Sequence, residues 1–326
     1  MSGRVENDMK IEATVQAKLM MYPEFLTQYS YSFTNSTAGT KRKYVYDVAN
    51  FLDYQAKIIG REVKIPDLRK ITKNDINKYL SSMIYQKSDS TRAGLLSSLR
   101  HFWGFLSEPP FNFKINPCLE VKRPKDKKEH PVVSLTPEEI KIMERDISSG
   151  VGTEHQKAYQ QKWKKRDVAI LTLGCRTGLR VSAITELDMM DIDWENQVIQ
   201  VTEKGNVMRS CYVGSGTLEI LKEWIDEREK LLGKDDVSAV FISDRLRRIT
   251  SRCIYDILRR YSGGINKHIT PHKMRSTCAT NLYAATGDVY LVQQTLGHKN
   301  IENTKRYTAI SEEKKRKASQ IMDSLF

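Results

Sequence analysis

Residues 296–307 read LGHKNIENTKRY. This stretch places Tyr307 nine positions after His298 and directly behind two cations, Lys305 and Arg306. A phenol oxygen can act as a covalent nucleophile once a base or positive surroundings favour its ionised form. Taken alone, the tyrosine fits ordinary packing in a basic segment just as well, so its interpretation depends on what the rest of the sequence offers.

Upstream segments carry further polar residues where a purely structural protein would not need them. They are TGLRVS with Arg180, EKGN with Lys204, and TPHKMR with His272 and Arg275. Singly, each fits a helix cap, a solvated turn or a surface pair. Together with the C-terminal histidine and tyrosine they form a set for metal-free phosphoryl transfer. Guanidinium forks bind phosphate oxygens bidentately, and a lysine or histidine can protonate the leaving oxygen.

The order and spacing of these segments resemble the tyrosine recombinase (lambda-integrase-like) superfamily, most of all the two-domain Xer-type recombinases of Gram-positive bacteria. The two C-terminal segments carry the resemblance most specifically, and the lysine turn carries it least. The resemblance covers the second domain throughout and, more loosely, the first. It implies site-specific DNA recombination: integration, excision, or resolution of chromosome or plasmid dimers.

The resemblance implies a catalytic set of Arg180, Lys204, His272, Arg275, His298 and Tyr307. In that set the two arginines clamp the scissile phosphate and the lysine protonates the departing 5′ oxygen. His272 serves as general acid/base toward the tyrosine, and His298 hydrogen-bonds a phosphate oxygen. Tyr307 is the nucleophile, and its 3′-phosphotyrosyl link conserves the bond energy. We therefore expect no metal site, no ATP and no other cofactor.

Two positions depart from the family pattern. Ala183 stands where family members commonly carry an acidic residue, three positions after the first arginine, although Glu186 lies one turn later. Ser276 stands directly after the second arginine, where many relatives have histidine. Neither position belongs to the implied catalytic set, so we expect activity to survive both changes.

Hydrophobic periodicity predicts a mainly α protein with one small antiparallel β-sheet. Residues 1–120 show short amphipathic helices without strands, and the resemblance identifies them as a helical core-binding, SAM-like DNA-binding domain. Residues 121–133 are predicted to form a basic linker. Residues 134–326 are predicted to form an α+β catalytic domain, in which two β-like runs, 197–202 and 208–213, flank a Gly-Asn turn.

Net charge favours a polyanionic partner. The protein has 326 residues, with 53 Lys+Arg against 40 Asp+Glu, a net charge of +13, and a pI near 9.4. With the resemblance, this makes double-stranded DNA with a specific recombination site the expected partner. The candidate DNA-binding residues lie in basic segments of the first domain and the linker: Lys41, Arg42, Lys43, Arg92, Lys122, Arg123 and Lys125.

The resemblance also implies assembly. Family members work as a homotetramer on two DNA sites, and each subunit clamps the duplex between its two domains. After the tyrosine, apolar residues recur at helical spacing from Ala318 to Phe326. This terminal helix can fold back on its own domain or dock in a neighbouring subunit, and the resemblance favours the neighbour.

The remaining composition fits a globular protein of the cytoplasm without a membrane partner. No stretch approaches the roughly 18 apolar residues of a membrane span, and the polar N-terminus has no secretory apolar region. The five scattered cysteines include no C-x-x-C pair, which argues against a zinc ribbon and against a disulfide framework.

Other functions stay open at this point. The main alternative is a non-catalytic basic DNA-binding or architectural protein derived from the same fold, and the intact catalytic set counts against it. Type IB topoisomerases share the chemistry, and the LGH segment disfavours them. Chromosome-dimer resolution and mobile-element integration or excision are both compatible with the motifs.

Overall fold

The computed structural model describes residues 3–124, 132–203, 207–233 and 237–297, together with 300, 301, 304 and 307; the side chains of residues 3, 4, 203 and 207 are not described. Contacts divide the protein into two compact units, with the division between residues 130 and 131. Each unit has its own hydrophobic core. The domain bounds 1–120 and 134–326, with a basic linker between them, stay a prediction.

The first unit is built from helices. They are α1 (Gly3–Leu19), α2 (Glu24–Tyr31), α3 (Ala38–Ile59), α4 (Ile65–Leu68), α5 (Lys73–Ser81) and α6 (Asp89–Ser107). The hydroxyls of Thr37, Thr72 and Ser88 each accept a backbone N–H three residues further on, and so cap α3, α5 and α6. Helix α5 begins directly after its cap Thr72 and ends at Ser81.

An aromatic core holds the first unit together. Tyr29, Phe51, Phe102 and Trp103 are almost completely buried. The rings of Phe102 and Trp103 lie 5.5 Å apart and 80° inclined, an edge-to-face pair that adds to the free energy gained from burying apolar area. Helix α3 packs on α6 on one side and on α1 on another, so it is the central helix of this unit.

The second unit is also mainly helical. Its helices are α7 (Pro137–Ser149), α8 (Glu154–Thr177), α9 (Val181–Glu186), α10 (Ser215–Leu232), α11 (Ser251–Tyr261), α12 (Pro271–Thr286) and α13 (Val289–Leu296). Helix α8 packs against α7, α10 and α12, and its Trp163 and Ile170 are buried in the core. Because α8 ends at Thr177 and α9 begins at Val181, Arg180 lies at the junction of two helices.

A small antiparallel sheet belongs to the second unit. Within the described residues it has three strands, β1 (Ile192–Asp193), β2 (Val198–Glu203) and β3 (Val207–Tyr212), in the order β1-β2-β3. Strands β2 and β3 form the predicted hairpin, with Val201 opposite Arg209. Its turn, residues 204–206, lies outside the described residues. A strand as short as β1 offers no alternation from which to predict it.

The predicted fold class, mainly α with a small antiparallel sheet, is confirmed. All five cysteines lie in the described part of the protein, are free thiols, and are buried except for the half-buried Cys253. In the ranges that the structure describes, no helix has both the length and the apolar character that crossing a membrane requires.

Candidate active site

A tight turn joins α8 to α9 and carries the first predicted arginine. Gly178 follows α8 in the left-handed region at φ 64°, and its N–H donates to the Gly174 carbonyl at 3.1 Å. A Cβ at this position would lie 2.5 Å from a methyl carbon of Leu296, so glycine alone fits without displacing that side chain. The turn then sets Arg180 at the start of α9 with an extended backbone (φ −68°, ψ 150°).

Arg275 is the buried centre of this site. It lies 3% exposed in α12, a helix that begins with Pro271. Its Nη1 donates to the Gly178 carbonyl at 2.6 Å, and its Nη2 donates to the Leu296 carbonyl. One guanidinium therefore joins the α8–α9 turn to the end of α13. Because both acceptors are uncharged, these hydrogen bonds orient the group without neutralising it.

Burial and neighbouring charge both act on the arginines. Burial, followed by the charge of Arg180, lowers the pKa of Arg275 to about 10, while the phenol of Tyr307 acts to raise it. Burial also lowers the pKa of Arg180, with the charge of Arg209 as the second cause. These mutual effects place the three arginines and the tyrosine in one electrostatic neighbourhood. A bound anion would relieve the repulsion among the cations.

Tyr307, the predicted nucleophile, is 5% exposed and packs in a small apolar cluster with Cys278, Val292 and Leu296. Its backbone N–H donates to the Thr304 carbonyl at 2.9 Å. Leu296 also supplies the carbonyl that the buried arginine of α12 holds. The tyrosine and that arginine are therefore tied to the same helix end within one subunit.

The other predicted catalytic residues are described less completely. His272 is exposed on the first turn of α12, three residues before Arg275. The His272 carbonyl accepts a hydrogen bond from the hydroxyl of the buried Ser276 at 3.1 Å. Ser276, which stands where many relatives have histidine, is therefore satisfied by a hydrogen bond within α12. Lys204 and His298 lie outside the described residues. Two arginines and the tyrosine are the part of the predicted set that the structure brings together.

A third arginine, Arg209, lies next to these residues, and the sequence motifs do not reveal it. It lies on β3, and its Nη1 donates to the Thr295 carbonyl at 3.0 Å. Its neighbours Met208 and Ser210 are exposed whereas Cys211 is buried, so Arg209 shares the inward face of the strand with the cysteine. An arginine at an inward position of a strand is rare unless it is paired. That alternation was the signal in the sequence that could have found it.

The candidate DNA-binding residues of the first unit lie at the starts of α3 and α6, and several are paired with carboxylates. The pairs are Lys41–Glu12, Lys43–Asp47 and Arg92–Asp89. Lys43 Nζ also lies 3.2 Å from the hydroxyl of Ser98 in the middle of α6, so the first turns of α3 contact that helix. Arg42, Lys122 and Arg123 are exposed, and Lys125 lies outside the described residues.

Comparisons with known proteins define the class. Residues 120–314 match the Phage integrase family, and residues 26–108 match the phage integrase N-terminal SAM-like domain. The first match alone spans more than half of the sequence. The protein therefore belongs to the phage integrase family.

Within this class the similar proteins are Xer recombinases. The tyrosine recombinase XerC of Thermodesulfovibrio yellowstonii is 31% identical over 84% of this protein and 86% of its own length. XerC of Caldanaerobacter subterraneus subsp. tengcongensis is 29% identical over 92% of this protein and 86% of its own length. The crystal structure of the site-specific recombinase XerH, bound to palindromic difH substrate in a post-cleavage complex, superposes with a TM-score of 0.68 at 20% identity. That superposition covers 91% of this protein and 84% of XerH.

These similarities confirm the identification made from the motifs. The protein is a tyrosine recombinase of the Xer type, and its function is site-specific DNA recombination. The relatives named above are recombinases, and nothing in the comparisons supports the non-catalytic alternative.

Proposed function

We propose that Tyr307 attacks the scissile phosphate of a DNA recombination site and becomes linked to the 3′ phosphate. The phenol oxygen forms a bond to phosphorus while the bond from phosphorus to the 5′ oxygen breaks. The phenol loses its proton and the 5′ oxygen gains one, so one phosphate ester replaces another. A 5′ hydroxyl of a second duplex then reverses the step on a new strand, and ATP is not needed because the ester keeps the bond energy.

The observation that carries this proposal is the double hydrogen bond of Arg275. The guanidinium holds the Gly178 and Leu296 carbonyls, keeps its charge, and lies within electrostatic reach of Tyr307. A cation fixed before the substrate arrives is preorganised for the negative charge that builds on the phosphate in the transition state. Arg180, held at the α8–α9 turn, supplies the second cation of the phosphate clamp.

Three further residues complete the proposal with the roles that the family resemblance implies. Lys204 protonates the departing 5′ oxygen, and His298 hydrogen-bonds a phosphate oxygen. His272 serves as general acid/base toward the tyrosine, and its exposed position on the first turn of α12 supports exchange of its proton with solvent or substrate.

The proposed partner is double-stranded DNA in the cytoplasm, on which four copies of the protein assemble over two recombination sites. The net charge of +13 and the basic residues in the first turns of α3 and α6 support contact with the phosphate backbone. The XerH structure contains its DNA substrate after cleavage, which supports the same substrate class for this protein. In this assembly residues 318–326, which lie outside the described residues, would form the helix that docks in a neighbour.

The first experiment replaces the proposed nucleophile. Tyr307→Phe is expected to bind a nicked recombination site as the wild type does, but to form no covalent protein–DNA adduct on a denaturing gel. Tyr290→Phe, which changes an exposed tyrosine of α13, serves as the matched control and is expected to form the adduct normally. Absence of an adduct from the wild type on every cognate site, or an adduct from Tyr307→Phe, contradicts the proposal.

The role of Lys204 is tested with a modified leaving group. Lys204→Ala is expected to slow cleavage, and a substrate with sulfur in place of the 5′ bridging oxygen is expected to restore part of the rate, because a thiolate leaves without a proton donor. Equal slowing on both substrates removes the general-acid assignment.

Mapping the protected site distinguishes the biological roles: a site near the replication terminus indicates chromosome-dimer resolution, and a site at the end of an element indicates mobility.

A further inference from the structure

The last turn of α13 receives hydrogen bonds from arginines of two different elements. Arg209 on β3 donates from Nη1 to the Thr295 carbonyl at 3.0 Å, and Arg275 on α12 donates from Nη2 to the carbonyl of the next residue, Leu296. The last carbonyls of a helix have no acceptor role inside it and carry partial negative charge, so they attract guanidinium groups. The two guanidinium groups therefore sit on successive peptide units of one helix end.

The charge of Arg209 affects the pKa values of neighbouring groups in the site. It is the second cause, after burial, of the lowered pKa of Arg180, and it also acts to lower the pKa of Arg275. Burial raises the pKa of the Cys278 thiol to about 11, and the charges of Arg275 and Arg209 oppose that rise. Cys278 packs in the same small cluster as Tyr307. The positive charges of a strand, a helix and a turn thus converge where the proposed nucleophile lies.

The hydrogen bond to Thr295 does not by itself explain an arginine at this position. A neutral side chain with an N–H donor, such as glutamine, could hold the same carbonyl. Arginine brings a full positive charge into a half-buried place near Arg180 and Arg275, where an anion would interact favourably with all three charges.

We propose that Arg209 is a further phosphate-directed arginine of the active site. The Thr295 carbonyl orients the Arg209 guanidinium. The charge of this guanidinium acts together with those of Arg180 and Arg275 on the scissile phosphate. The inference rests on the proposed function, since it requires a DNA phosphate at these residues. It extends that function by a cation on β3, the strand that follows Lys204 in the sequence.

The test measures whether the contribution of Arg209 to DNA affinity depends on the negative charge of the scissile phosphate. In a Tyr307→Phe background, which removes cleavage, DNA affinity is compared for two sites. One carries the natural scissile phosphodiester, and the other carries a methylphosphonate there, in which a methyl group replaces a non-bridging oxygen and removes the charge. The neutral group is expected to weaken binding by about 10-fold when Arg209 is present, the loss typical of one charge-assisted hydrogen bond.

Two substitutions separate charge from hydrogen bonding. With Arg209→Gln the weakening is expected to drop to about threefold, because the charge of Arg209 is gone while Arg180 and Arg275 still act on the phosphate. Arg209→Lys keeps the charge and is expected to restore most of the sensitivity. Arg252→Gln, which removes an exposed arginine of α11, is the control and is expected to leave the sensitivity of the parent protein unchanged.

Equal sensitivity with Arg209 and with Arg209→Gln overturns the proposal and reduces Arg209 to a structural donor for Thr295. Loss of sensitivity in Arg209→Gln that Arg209→Lys fails to restore overturns the charge argument as well. The proposed function is judged separately, by adduct formation in the protein that carries Tyr307. An adduct there together with equal sensitivities defeats the inference alone, whereas failure to form an adduct defeats the proposed function.

Discussion

The candidate DNA-binding residues of the first unit and the buried arginine of the candidate active site are held in different ways. At the starts of α3 and α6, Lys41, Lys43 and Arg92 each pair with a carboxylate of the same surface. In the second unit, Arg275 is held by two backbone carbonyls. A carboxylate partly neutralises its partner, whereas a carbonyl orients a guanidinium and leaves its charge intact. A cation paired with a carboxylate can exchange that partner for a DNA phosphate. The guanidinium held by backbone carbonyls instead keeps one position and its full charge.

The strongest test of this comparison is Arg275→Lys. A lysine keeps the charge but cannot bridge the Gly178 and Leu296 carbonyls, so we expect the rate of adduct formation in a single turnover to fall by about 100- to 1,000-fold. The matched change in the first unit, Arg92→Lys, is expected to alter the rate by less than about threefold, because a carboxylate pair tolerates either cation. Similar effects of the two substitutions would remove the contrast between the units.

A second test compares two glycines of the second unit. Each directly follows the last residue of a helix, and each has a positive φ. Gly178→Ala places a Cβ 2.5 Å from a Leu296 methyl, and with the backbone strain we expect a loss of about 3 kcal/mol in the free energy of unfolding. Gly287→Ala has a similar φ of 70° and open space around the Cβ, so strain alone should cost about 1 kcal/mol. Denaturant titrations measure both losses. Equal losses would show that the turn tolerates the added carbon.

The surface of the first unit should respond mainly through salt dependence. Arg42→Gln removes an exposed cation at the start of α3. A plot of the logarithm of the DNA association constant against the logarithm of the salt concentration has a negative slope, and we expect its magnitude to fall by about 0.9, the effect of one lost phosphate contact. Lys57→Gln removes an exposed cation near the other end of the same helix and should leave the slope unchanged. A change of equal size for both would indicate a general charge effect rather than a contact surface.

The smallest effect is expected from the Lys41–Glu12 pair. Glu12→Gln should lower the free energy of unfolding by less than about 1 kcal/mol, since the pair is partly solvated. The hydrogen bond from Lys41 lowers the pKa of Glu12, so the stabilisation is present above the unfolded pKa and is lost as the pH falls through the folded one. Thermal melts across that acidic range measure the loss. A wild-type advantage that persists below the folded pKa would contradict the pairing.

Local signals made much of the fold predictable. Helix starts at Thr72 and Thr136 follow from caps within three residues, and the β2–β3 hairpin follows from its Gly-Asn turn. The start of α8 was hidden, because residues 154–166 are mostly charged and polar. Their helical character depends on inward-facing side chains such as Gln160 and Trp163, which are buried only once α7 and α10 pack against them.

The candidate site was predictable in part, for a related reason. Arg180, Arg275 and Tyr307 lie in recognisable motifs, and the family match agrees with the motifs that carry them. Arg209 lies in no such motif, and its hydrogen-bond partner Thr295 is 86 residues away in the sequence. A contact at that separation depends on how the tertiary fold brings β3 near α13, which sequence spacing does not encode. The roles of Lys204 and His298 stay a prediction.

The anchoring of Arg275 on backbone carbonyls has a consequence for how this protein can diverge. Every amino acid brings its own backbone carbonyl, so no substitution at position 296 can delete the acceptor, provided that the helix keeps its course. Side chains around the arginine can therefore drift while its orientation persists. A pocket secured in this manner can survive the exchange of most of its neighbouring side chains.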